Sequence, residues 1–160
     1  MATFTPADEG VVVRLEAHER QLLGELVAEM RLLLEADIPA SDAVMERLFP
    51  QAYEEEEDER AYRELIGNEL HARKLAVLGT VDQALSSGAP EIALHGDDLD
   101  SWLAWLTDVR LAIGTRVEIT EEKMGAELDP SDPEAAALSV LHWLGWMQGS
   151  ILEAIGEVEP

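Results

Sequence analysis

The stretch DDLDSWLAWLTDVRLAIGTRVEI, residues 97–119, decides how the rest of this chain is read. Asp97, Asp98 and Asp100 crowd its start, Trp102 and Trp105 follow, and apolar residues continue at Leu106, Val109, Ile113 and Val117. Spacings of three and four mark one face of a 3.6-residue helix. Asp97 or Asp98 is the expected cap for the free backbone N–H groups, and negative charge at that end suits the helix dipole. Each Trp can remove about 150–250 Å² from water, worth about 4–6 kcal/mol before entropy is charged. Two such rings one turn apart make this segment the expected centre of a helical core.

Just upstream, Glu91-Ile92-Ala93-Leu94 alternates after Gly88-Ala89-Pro90 and reads as a short strand. Its expected partner is Val11 to Leu15, while residues 1–10, with Thr5, Pro6 and Gly10, are expected to be flexible. Three helices are expected between these strands. The first, Glu16 to Ala36, carries a stripe of Leu22, Leu23, Leu26, Val27, Met30, Leu33 and Leu34. A short one from Ser41 to Leu48 is closed by Phe49-Pro50. The third runs from Glu56 to Leu85, with Gly67-Asn68 and Gly79 as points where it is expected to bend or break. Downstream, Asp132-Pro133-Glu134 is a helix start, and the helix it opens runs to Ile155. Trp143 and Trp146 there echo the earlier pair. The expected fold is mainly α: a compact bundle of about five helices with one short two-stranded β ribbon, in a single domain over residues 1–160.

Composition narrows the function classes. The chain has 11 basic and 34 acidic residues, a formal charge of −23, so it repels phosphate backbones and direct nucleic-acid binding is not expected. A basic protein partner would be attracted, with strong salt dependence. No disulfide, thiolate metal site or thiol redox chemistry is open to a sequence without cysteine. The lack of a long apolar run and of a basic start with an apolar segment makes the cytoplasm the expected location, with no membrane association.

No reaction is specified by any motif. The four histidines, His18, His71, His95 and His142, lie on four separate segments, and nucleophile elbows and phosphate loops are missing. No catalytic residue, metal or cofactor is assigned, and the chain is expected not to be an enzyme. Arg110 sits at the edge of the apolar stripe, where a guanidinium demands a partner, and Glu19 on the first helix is the expected one. The alternative is that Arg110 and Arg116, with Asp108, contact an anionic ligand or a partner. Trp102, Trp105, Trp143 and Trp146 are expected as core, or else as the interface of a structural homodimer. Glu54, Glu55, Glu56, Glu57, Asp58 and Glu59 are either the acidic opening of a helix or a docking strip for a basic partner. His71, Arg73 and Lys74, the one compact basic cluster, are expected as internal salt-bridge partners.

Four blocks of the chain resemble a known family. LEAHERQLL from Leu15 to Leu23, RLFPQAY from Arg47 to Tyr53, LDSWLAWLTDVRLAIGTRVEI from Leu99 to Ile119 and HWLGWMQGSIL from His142 to Leu152 look like the actinobacterial AosR-like family, formerly a domain of unknown function. That resemblance implies cytoplasmic, stress-responsive regulation of transcription through a protein partner, such as a sigma factor or other transcription component. It also implies oxidation sensing by a cysteine pair near the N-terminus, and here the chain departs, because residues 1–13 contain none. Oxidation of Met30, Met45, Met124 or Met147 is the remaining sulfur chemistry, and these read as fillers.

Overall fold

Val11, Val12 and Val13 lie in the middle strand of a three-stranded antiparallel sheet, not in one half of a two-stranded ribbon. The computed structural model describes residues 1–36, 42–117, 131 and 133–158. Strands β1 (Thr3–Ala7), β2 (Gly10–Arg14) and β3 (Glu91–His95) lie side by side in that order. The N-terminal ten residues, expected to be flexible, therefore form an edge strand and a tight turn. Pro6 conceals this in the sequence, since proline reads as a strand breaker yet is tolerated at a sheet edge. Ala2 is buried, and its N–H donates to Glu19 Oε2 at 3.1 Å, so the chain is tied down ahead of the strand.

Among the described residues the rest is mainly helical: α1 (Ala17–Glu35), α2 (Ala43–Leu48), α3 (Glu56–Ser86), α4 (Asp97–Arg116) and α5 (Ala135–Val158). In α1, Leu23, Leu26, Val27, Met30, Leu33 and Leu34 are buried along the expected stripe. Asp42 caps α2 by accepting from the N–H groups of Val44 (2.9 Å) and Met45 (3.3 Å). The expected start at Ser41 and the Asp132 cap lie outside the described residues, and the Trp helix ends at Arg116 with Val117 as its C-cap, short of the expected Ile119. No helix among the described residues is long and apolar enough to cross a membrane.

Helix α3 is one continuous rod of 31 residues, with no break at Gly67-Asn68 or Gly79. A mid-helix glycine costs about 1 kcal/mol, too little to interrupt a helix carried by tertiary contacts at both ends. A Cβ added at Gly67 or Gly79 meets no atom within 4 Å. Gly67→Ala and Gly79→Ala are accordingly expected to stabilise by about 0.5–1 kcal/mol each, measured by urea unfolding. A loss of stability in either would mean that the helix does bend there.

Helix α4 is the centre of the molecule. Its N-cap is Gly96 at φ 56°, not Asp97 or Asp98; the three aspartates fill the first turn instead and act through the dipole. Trp102 and Trp105 are fully enclosed, edge to face with centroids 6.0 Å apart. A single core joins them to Leu106 and Val109, to Leu78 and Val81 of α3, to Leu144, Met147 and Ile151 of α5, and to Ile92 and Leu94 of β3. The second Trp pair differs. Trp143 is partly buried against this core, whereas Trp146 is 38% exposed and meets Phe4 of β1 edge-on at 5.6 Å. A solvent interface through Trp102 and Trp105 is thereby excluded, because neither ring reaches the surface.

Candidate interaction surface

Arg110 points from α4 to α5. Its Nη1 donates to Gln148 Oε1 at 2.8 Å, and Gln148 Nε2 in turn donates to Thr107 Oγ1 at 2.8 Å. The guanidinium lies over Gly145, where a Cβ would sit 3.4 Å from Nη2, at the near limit of ordinary contact. Glu19 is not its partner. That carboxylate is 5% exposed and accepts from Ala2 and, at 3.1 Å, from the Glu16 N–H in the first turn of α1. The expected Glu19–Arg110 pair is therefore replaced by a neutral amide clamp between two helices.

The other polar residues of α4 separate as well. Asp108 faces α3, where Lys74 Nζ reaches its two oxygens at 3.0 and 3.2 Å. Lys74 also sits 5.6 Å from the Phe49 ring, which stacks on His71, and His71 Nε2 bonds the Leu34 carbonyl oxygen. Arg73 pairs with Glu69 at 3.0 Å. The basic cluster thus serves internal contacts, two of them salt bridges. Arg116 is exposed and borders a hollow of about 30 Å³ between α1 and α4, room for about one water. Six residues of helix set it about 9 Å along the axis from Arg110 and about 120° around it. The two arginines do not converge on one ligand. Among the described residues no three His, Asp or Glu side chains are grouped to hold a metal ion.

The acidic run does build a surface. An open hollow of about 790 Å³ lies between α2, the connection after it and the start of α3. Five carboxylates line it, Glu46, Glu54, Glu56, Glu59 and Glu64, with Gln51, Arg60 and Arg63. Helical spacing puts 56, 59, 60, 63 and 64 on one side of α3; Glu57 and Asp58 lie outside the lining, and Glu55 is the N-cap residue. The six-residue strip is therefore divided, not a continuous docking face. Arg60 approaches Glu56 at 3.6 Å in full exposure, an arrangement of little energetic worth.

Glu59 is structural. It is 9% exposed, its Oε2 accepts from the N–H groups of Ala52 and Tyr53 at 2.9 Å each, and Arg63 Nε lies 2.9 Å from Oε1. Arg63 also donates to the Phe49 carbonyl at 2.9 Å, which laces the connection onto α3. Burial opposes ionisation of Glu59, but the Tyr53 and Ala52 N–H groups and the Arg63 charge together outweigh it and hold the carboxyl below its ordinary range. A carboxyl depressed on folding stabilises the fold fully above its unfolded value, and that contribution is lost as pH falls through the folded value. NMR titration should therefore show the Ala52 and Tyr53 amides shifting only below the ordinary glutamate range, with the transition absent in Glu59→Gln. A transition at or above the ordinary value would mean that the clamp does not form.

Sequence reasoning missed Gln148, whose only sequence signal was its position one face away from the core of α5; Gly145, which reads in the sequence as a place for a neighbouring backbone to come close, faces the Arg110 side chain instead. No curated protein and no solved structure matches the chain. The family comparison does give a match over residues 1–155, nearly the whole of the architecture described above, and the chain belongs to the DUF2017 family, a domain of unknown function.

Proposed function

We propose that this chain is a non-enzymatic interaction protein that binds a basic segment of another protein at the hollow between α2 and α3. The observation that carries this reading is the set of carboxylates around that hollow. Only Glu59 is buried and committed internally; Glu46, Glu54, Glu56 and Glu64 are exposed. With a formal charge of −23 behind them, they steer a cationic partner and repel nucleic acid. The AosR-like resemblance supplies the finer reading: a cytoplasmic regulator of stress-response transcription whose partner is a sigma factor or another transcription component. No thiol switch takes part, since the chain has no cysteine.

Pull-down from lysate across a salt series tests this. A specific protein should be retained at low salt, released toward 1 M where screening shortens to about 3 Å, and lost with Glu54→Lys/Glu56→Lys/Glu64→Lys. If nothing specific is retained even at low salt, the reading is wrong. A homodimer is the second reading, favoured by the exposed edge of Trp146 beside Phe4 and opposed by like charge. A monomer by light scattering at high concentration excludes it.

A further inference from the structure

The two edges of the sheet are unequal. β1 carries Pro6, and α5 packs beside it. β3 pairs only with β2, and among the described residues no further backbone or side-chain hydrogen bond reaches Glu91–His95. Folded proteins usually blunt such an edge with a central charge, a proline, a bulge or a covering element, because unpaired N–H and C=O groups invite another strand. Here the middle residue is Ala93, small and exposed, and the polar side chains, Glu91 and His95, stand only at the ends. A hollow of about 340 Å³ runs beside this edge, with Ile92, Ala93 and Leu94 on one side, Gln83 and Ser87 of α3 on the other, and Asp98 of α4. No Lys or Arg lines it.

We propose that this slot takes up an extended, basic segment of a partner protein as a fourth strand on β3. Main-chain hydrogen bonds to the open edge supply the affinity, and alternate side chains supply the choice of partner. Ile92 and Leu94 are buried while Ala93 is exposed, so one face of the added strand meets apolar surface and the other meets water. Asp98 in the lining, with Asp97 and Glu91 near the strand ends, selects cationic side chains among them. The occupant is thus a segment alternating β-branched and basic residues. The inference shares with the proposed function only the premise that the partner offers a basic segment of protein. It uses a different surface from the acidic hollow.

The test is an NMR titration of the intact chain with a heptapeptide alternating Lys and Val, and with two forms of it N-methylated at either the Lys or the Val amides. Residues of a strand point their N–H and C=O groups to alternate sides, so one methylation pattern should cost at least tenfold in affinity and the other should be tolerated. The unmodified peptide should slow exchange of the β3 amides left free by β2. Asp98→Lys should weaken it about tenfold, with circular dichroism unchanged. Loss with both methylation patterns or with neither overturns the proposal, as do shifts confined to Glu54–Glu64. Methylation leaves the peptide charge unchanged, and the lysine substitutions at the acidic hollow leave β3 untouched. Failure here and failure of the pull-down are therefore read separately.

Discussion

Trp102→Ala is expected to destabilise the protein by about 3–5 kcal/mol, the largest effect of any single truncation in this chain. The ring is fully enclosed at the centre of α4, where it meets Trp105 edge to face, and its removal leaves a cavity that several packed elements cannot all close. For a domain of this size each kcal/mol corresponds to about 2–4 °C in Tm, so the midpoint of thermal unfolding should fall by about 6–20 °C. The indole Nε1 of Trp102 has no hydrogen-bond partner among the described residues, and neither has that of Trp105. Volume, not polarity, is therefore what the ring contributes, and Trp102→Phe should recover most of the loss. Trp146→Ala, at a half-exposed position, should cost less than half as much. Urea unfolding of the three variants checks the order; a Trp102→Ala cost near 1 kcal/mol would contradict the central placement of α4.

Gly10→Ala is expected to cost about 3 kcal/mol, through collision and not through lost contact. A Cβ at Gly10 would lie 2.0 Å from the Leu94 carbonyl oxygen and 3.0 Å from His95 Cβ. Gly10 is the register partner of His95, so one added methyl must push β2 and β3 apart at their common end. Faster amide exchange along β2 and β3, with the α5 amides unaffected, is the expected signature. The same substitution at Gly67 or Gly79 has the opposite sign, because nothing there meets the new atom. Equal effects at Gly10 and Gly67 would mean that backbone entropy governs both, and that the close approach is absent.

The helices were legible because their apolar residues recur with helical spacing. Leu23 to Leu34 in α1 and Leu138 to Ile151 in α5 needed no tertiary information to be recognised. The β2–β3 pairing was legible for a similar reason, from alternation and a turn signal. Strand β1 was not, because Pro6 argues against a strand unless one already knows that it lies at an edge. Nor was the continuity of α3, where Gly67-Asn68 and Gly79 looked like breaks.

The candidate sites show the sharper limit. That Arg110 required a partner followed from its place beside an apolar stripe. Which partner did not follow, because a guanidinium reaches only a few ångströms and the group it meets depends on how α4 and α5 cross. The same holds for the acidic run. Composition alone established the sign of the surface charge and the exclusion of thiol chemistry, and the spacing of apolar residues established the predominance of helix. Tertiary packing decided that Glu59 turns inward while Glu54 and Glu56 face an open hollow, and that β3 has no strand on its outer edge among the described residues. Residues adjacent in sequence diverge by about 100° around a helix, so neighbours in the chain become neighbours in space only where packing brings their faces together.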